Sequence, residues 1–437
     1  MSSMNTGLSD RISGSLFGLL LCDSLGTAVE CQSTGSFDPV KTLRGDGKFR
    51  LKPGQFTDDG SMALCLAIAL LDHENGTSMI HSSVKQMNLY RRWYENGYLS
   101  SNGECFDIGI TVRTALYKFI SDSDRSQNEK LPSTIAYYGN TSDKASGNGS
   151  LMRLAPIPLL YHQDPITAMT EAMNSSKTTH GSLLCLDSCR IYTALILGAL
   201  QGFSKDDLLN NEKIFVPNEV IKGSYKHRQP PEIKASGFVI ETMEAALWAF
   251  YHTDSFEEGA LKAVNLGDDA DTVGAVYGML AGAFYGIHAI PIEWKEKCYF
   301  KDFVQTIIDE LLRQSQEIMN ITEKKSSSGY RKVLKIYDEL ARFYTGTIKR
   351  KTLPCPKQYK SNEEFDEDIE QCHSIYNTTM VEWEEGTTDD EKQLIVTRCD
   401  AILKQFLSLI EDDKHSLTIK WSRNFNNFQL NKRKPIE

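Results

Sequence analysis

The sequence predicts an all-α protein, and three observations carry that expectation. Apolar residues recur at helical spacing over 61–71, 183–200, 240–250 and 303–312. No series of short runs alternates apolar and polar residues in the manner of half-buried strands. Glycine, proline, serine and asparagine gather between the periodic segments, at 34–54, 121–149 and 204–234, the last with a Pro230-Pro231 pair.

The 437 residues, 41% hydrophobic and 24% charged, suffice for one large core or two to three smaller ones. With 48 basic against 58 acidic side chains, the formal charge of -10 speaks against a general binder of nucleic acid or anionic membrane. Ten scattered cysteines include no CxxC, and Cys185 and Cys189, four apart, lack companion ligands for zinc. They read as buried thiols in a reducing, cytoplasmic setting.

Taken in order, the first element is the apolar stretch of SDRISGSLFGLLLC. Asp10 and Arg11 precede it, with no basic region and no small-residue cleavage site, so it reads as a helix and not as a signal peptide. Gly14 and Gly18 form a small-residue stripe on it, and Glu30 follows in the next loop. The second element, PGQFTDDGSMALCLAIALLDH, opens on Thr57, Asp58 and Asp59 before a strongly apolar helix. ASGNGSLMRLAPIPLLY then places Ser146, Gly147, Asn148, Gly149 and Ser150 before an apolar segment, where backbone N–H groups at a helix start can meet an anion. Thr179 and His180 precede the apolar segment at 183–200.

NLGDDADTVGAVYGMLAGAFYG repeats the acidic opening with Asp269, Asp271 and Thr272. Local capping is the plain reading of such a cluster, since Thr and Asp accept orphan N–H bonds at helix starts. The chain holds a control: Thr388-Asp389-Asp390 opens an amphipathic helix with Glu391 completing a capping box. By contrast, the residues after Asp59 and Thr272 are apolar nearly all round, which buries those acidic ends in a cleft. Gly274, Gly278, Gly282 and Gly286 fall every fourth residue and let another backbone approach closely. The run 273–292 approaches a membrane span in length, but His288, Pro291 and its glycines favour a buried helix.

If these helices pack together, Asp58, Asp59, Asp269 and Asp271 converge, with Glu30 as a fifth carboxylate. No lysine or arginine accompanies either cluster in sequence. Repulsion would raise the pKa of some carboxylates unless cations are bound. Carboxylates with two threonine hydroxyls suit a pair of Mg²⁺ ions, with Mn²⁺ or Ca²⁺ as alternatives. An EF-hand is excluded, because the fifth and twelfth positions counted from Asp269 are Val273 and Leu280.

Together these stretches resemble the ADP-ribosylglycohydrolase family, in the order LLLCDSLGTAVE, PGQFTDDGSMALCLA, CFDIG, SGNGSLMRLAPIP, THG, SGFVIETMEAALWAF and GDDADTVGAVYGMLAGAFYG, over residues 11–315. The resemblance implies an orthogonal helical bundle with a dinuclear metal centre in a cleft. Position by position, Thr57, Asp58, Asp59, Asp269, Asp271 and Thr272 would be metal ligands. Residues 146–150 would hold the pyrophosphate, and His180 would lie beside the ADP-ribose. Glu30 and Asp269 would serve catalysis, with Glu30 either a general base or a ligand that moves aside. The implied reaction is hydrolysis of the α-glycosidic bond between ADP-ribose and an acceptor.

The wording TDDGSMALCLA sits closer to the branch that reactivates dinitrogenase reductase, which favours arginine over serine as acceptor. An ADP-ribosylated protein or a small ADP-ribosyl compound is the expected partner, with no role for a membrane. The alternatives are a catalytically inactive ADP-ribose reader or structural protein, and another two-metal hydrolase such as a phosphatase. A catalytic domain is expected over 1–320. A linker follows at 321–330, then a charge-rich extension at 331–437 with helical patterns over 332–344 and 391–410 and no catalytic cluster.

Overall fold

A computed structural model describes residues 7–72, 82–126, 135–209 and 223–325. Among them all regular structure is helical, apart from three isolated β-bridges. The helices are α1 (Leu8–Gly26), α2 (Asp58–Leu71), α3 (Ser83–Asn96), α4 (Ile110–Ser126), α5 (Pro156–Leu160), α6 (Pro165–Lys177), α7 (Leu183–Leu200) and α8 (Lys205–Leu209). They continue with α9 (Val239–Tyr251), α10 (Phe256–Val264), α11 (Ala270–Tyr285), α12 (Ile292–Lys297) and α13 (Lys301–Lys325).

The expected helical segments lie within α2, α7, α9 and α13. Two expectations are revised. α13 continues through Ile321–Lys325, half of the expected linker, because no glycine or proline interrupts Ile-Thr-Glu-Lys-Lys. The 273–292 run does not make one long helix. α11 stops at Tyr285, where Gly286 takes φ 80°, a conformation that favours glycine. Among the described residues α7 is the helix long and apolar enough to cross a membrane, and most of it is buried inside the protein. The first compact unit of the chain is Met1–Ser326. The patterns expected at 332–344 and 391–410, and the helix start at Thr388, lie outside the described residues.

α1 and α11 form the centre, and their glycines explain how closely they lie. A Cβ placed on Gly18 would come 2.2 Å from the carbonyl oxygen of Gly278, and one on Gly282 would come 1.9 Å from that of Gly14. Two helices at this separation bury each other from Ile12 to Gly26 and from Ala270 to Ala283. Arg11 closes the far end of the pair, donating through Nη1 to the carbonyls of Ala199, Ala283 and Phe284, the last turns of α7 and α11.

Several helix starts are capped locally. Ser82 accepts from the N–H of Lys85, Asp164 from Thr167, Ser182 from Cys185 and Ser255 from Glu258. At α2 and α11 the N-cap residues are Thr57 and Asp269, and neither side chain makes a capping bond.

Candidate active site

The starts of α2 and α11 are capped by carboxylates from elsewhere. Asp23, on the last turns of α1, accepts the N–H of Thr57 at 2.9 and 3.1 Å and that of Gly60 at 2.9 Å. Glu30, in the turn after α1, accepts the N–H of Ala270 at 2.9 Å and of Asp271 at 3.5 Å through Oε2. The close α1–α11 packing delivers both, since a Cβ on Gly26 would meet Asp271 Cα at 2.4 Å. The N-cap side chains Thr57 and Asp269 therefore do not cap their own helices, although Asp271 Oδ1 accepts the N–H of Thr272 at 2.8 Å.

The two acidic clusters meet. Thr57 Oγ1 lies 3.1 Å from Asp23 Oδ1 and 3.2 Å from Asp59 Oδ2, either of which can accept its proton, and Thr272 Oγ1 reaches the same Asp59 oxygen at 3.3 Å. The other Asp59 oxygen is buried without a hydrogen-bond partner. Glu30, Asp269 and Asp271 each offer one oxygen within 4.8 Å of the others'. Asp58 is buried beside them.

Burial pushes the carboxyls of Asp23, Asp58 and Asp59 well above the usual range, and neighbouring carboxylates push them further. Burial and Asp271 do the same to Glu30. Asp269, held by burial and Asp271, is pushed up to about 7, with the Asn148 hydrogen bond opposing the rise. Lys48 qualifies the expectation that no base accompanies the cluster. It arrives on the loop between α1 and α2, 3.2 Å from the Cys31 thiol, and its charge reaches Asp107 and Glu30. One exposed ammonium does not balance this many carboxylates. An oxygen-only set with like charges packed together and a buried oxygen left unpartnered fits a hard divalent cation.

Two residues of the cluster were not singled out from the sequence. Asp23 lies in the LLLCDSLGTAVE stretch, and an aspartate inside an apolar helix was the available signal. Asp107, in CFDIG, takes φ 58° and sits beside Glu30 and Asp271, with burial pushing it up to about 9. Its signal was its place just before α4.

The SGNG turn lies against the same cluster. Asn148 Nδ2 donates to Asp269 Oδ2 at 2.6 Å and to Thr242 Oγ1 at 2.9 Å. Gly147 pairs with Phe238 in an isolated bridge that uses the Asn148 N–H, which donates to Gly237 O at 3.1 Å. The N–H groups of Gly147, Gly149 and Ser150 have no partner among the described residues. Contrary to expectation the turn does not feed straight into a helix start. Pro156 and Pro158 limit the next segment to irregular turns and the five-residue α5. Ser146 Oγ pairs with Ser182 Oγ at 2.8 Å, and Ser150 Oγ accepts from Ser176 Oγ at 2.9 Å. His180 is buried under the turn, and a Cβ on Gly149 would lie 2.9 Å from its Cε1. Burial, then the nearby Arg153, pushes its pKa down to about 3, so it is neutral at physiological pH.

A sequence profile described as ADP-ribosylglycohydrolase matches residues 4–320. The chain belongs to the ADP-ribosylglycohydrolase family. Similar proteins include the ADP-ribosylarginine hydrolase Tri1 of Serratia proteamaculans (strain 568), 34% identical over 315 residues, which are 70% of this chain and 80% of the relative. The ADP-ribosyl-[dinitrogen reductase] glycohydrolase of Rhodospirillum rubrum is 29% identical over 303 residues, 67% of this chain and 91% of that one. A solved structure described as an ADP-ribosylglycohydrolase-related protein complex superposes with a TM-score of 0.59 at 37% identity, covering 70% of this chain and 99% of its own. As an ADP-ribosylglycohydrolase this protein is a hydrolase of all-α fold that cleaves ADP-ribose from an acceptor, and its acidic cluster is one that could hold metal.

Proposed function

We propose that this protein removes ADP-ribose from arginine side chains of modified proteins, using two Mg²⁺ ions held by Thr57, Asp58, Asp59, Asp269, Asp271 and Thr272. The observation that carries the reading is the meeting of the two helix starts, where the Thr57 and Thr272 hydroxyls share one Asp59 oxygen and Asp269 and Asp271 gather with Glu30. The arginine acceptor is supported by the similarity to ADP-ribosylarginine hydrolases. Bound there, the metal pair would supply charge neutralisation and Lewis-acid activation of water and of the ribose hydroxyls.

The remaining work belongs to the chain. The unpaired N–H groups of Gly147, Gly149 and Ser150 would receive the diphosphate. Asn148 ties that seat to Asp269, fixing the distance from phosphate to reacting carbon. With bound cations offsetting the neighbouring carboxylates that raise its pKa, Glu30, anchored through Oε2 on the α11 N–H groups, would take the proton of the attacking water with its other oxygen. The water oxygen bonds to C1 of the ribose, the bond from C1 to the guanidine nitrogen breaks, and the proton passes to that nitrogen.

The test is release of ADP-ribose from arginine- and serine-modified proteins, with Mg²⁺ or with EDTA, beside Asp269→Asn. Release from the arginine substrate alone, lost in EDTA and in the variant, is expected. Release that persists in EDTA would overturn the metal reading, and release from serine alone would overturn the acceptor.

A further inference from the structure

Arg153, three residues beyond the SGNGS run, is a charged side chain that the reaction above does not use. It is fully buried, and no carboxylate pairs with it among the described residues. Its guanidinium carries five N–H donors and no acceptor. Its guanidinium lies 4.7 Å from the centre of the Tyr90 ring, and its Nε has no partner. Nη2 donates to Thr179 Oγ1 at 2.8 Å and more weakly to Thr178 Oγ1 and Ser175 O at 3.3 and 3.4 Å. A buried cation without an opposite charge is costly, and a bound anion is the partner that would offset it.

The direction of the hydrogen bonds follows from what each group can do. Arginine only donates, so Thr179 Oγ1 accepts from it. The threonine proton is then free for its other neighbour, His180 Nδ1, 2.8 Å away. The opposite arrangement, Nδ1–H donating to Thr179, would leave a fully buried hydroxyl proton with no acceptor among the described residues. With Nδ1 accepting, the proton of the neutral ring sits on Nε2. That atom has no protein partner and lies 3.3 Å from where a Cβ of either Gly147 or Gly149 would stand.

We propose that Arg153 is a positioning residue that acts through Thr179. It holds His180 as the neutral tautomer whose Nε2–H points at the anion seat, and it supplies that seat with an uncompensated buried cation. The inference rests on the reading of the SGNG turn as the diphosphate seat. It explains why the turn is built of glycines against an imidazole edge and why a neutral histidine is placed beside an anion.

Two measurements test it. Nitrogen-15 NMR of histidine-labelled wild-type protein, free of ligand, is expected to show His180 with a bare Nδ1 and a protonated Nε2. A proton on Nδ1 overturns the proposal without any variant having to fold. Calorimetry then compares ADP-ribose with adenosine in Thr179→Val and Thr179→Ser. Thr179→Val is expected to weaken ADP-ribose about tenfold, the order of one charge-assisted hydrogen bond. Adenosine binding should stay unchanged, and serine should restore most of the loss. Unchanged ADP-ribose affinity in folded Thr179→Val, or equal loss for both ligands, overturns the proposal in favour of a packing role. Wild-type protein that binds no ADP-ribose overturns the functional reading instead, and is distinguishable because the tautomer is read without ligand.

Discussion

Asp23 and Asp269 are both aspartates at the acidic cluster, yet they should respond to substitution in opposite ways. Asp23 is tied to Thr57 and Gly60 by backbone bonds that nothing else supplies. Asp23→Ala should cost about 1–3 kcal/mol in denaturant unfolding, the penalty for unsatisfied buried donors. Asp269→Asn removes a charge from a crowded set, so metal-free protein at pH 8 should melt no lower than wild type while hydrolysis is lost. The cluster as a whole sets a pH dependence. Asp269 and Asp107 titrate near 7 and 9 in the fold against 3.8 ordinarily, so the folded state holds more protons than the unfolded one across that window. Stability of the metal-free protein is therefore greatest below about pH 4 on account of these groups and declines as pH rises towards 9. Thermal melts in EDTA should show that decline, and Mg²⁺ should raise the melting temperature most at the alkaline end. A metal-free melt independent of pH over this range would contradict the packing of unneutralised carboxylates. The six proposed ligands were singled out in sequence because each belongs to an acidic or threonine cluster at a helix start. Asp23 and Asp107 lie in quoted motifs but stand alone there, and their partners at the cluster are 34 and more residues away.

At the level of elements, the site depends on how closely α1 and α11 approach, because Asp23 and Glu30 reach the two helix starts only from there. Gly278→Ala would put a Cβ 2.1 Å from the Gly18 carbonyl oxygen, against backbone that cannot rotate away. The helices would have to separate, at a cost on the order of 1–3 kcal/mol or more for overpacking. Separation should also loosen the Glu30 bond to the Ala270 N–H, so activity should fall further than stability alone explains. Gly109→Ala is the control: a Cβ there meets nothing within 4 Å, and stability should move by less than about 0.5 kcal/mol. Chemical denaturation of the two variants decides the matter, and equal stability would mean the glycine stripe is not needed. The stripe itself was readable from its four-residue period, and so were the long apolar helices. The amphipathic α3, α4 and α6 were not singled out, and the end of α13 was missed because Lys and Glu read as linker while favouring helix.

Over the whole molecule, the question is what the family domain needs. A solved chain of this family is covered over 99% of its length by 70% of this one, and the sequence match ends at residue 320. The residues placed in the site lie between Asp23 and Thr272, inside that span. That solved chain therefore has almost nothing outside the matched region to correspond to 331–437. Removing 331–437 should accordingly leave hydrolysis of free ADP-ribosylarginine within about twofold, since no group placed at the cluster is lost. The extension's richness in charge suits recognition of another macromolecule more than burial, so its contribution should appear with a modified protein as substrate. Comparing kcat/KM of full-length and truncated protein on the two substrates separates the roles. A loss confined to the protein substrate assigns 331–437 to target recognition. An insoluble truncated chain, or equal loss on both substrates, assigns it to support of the catalytic unit.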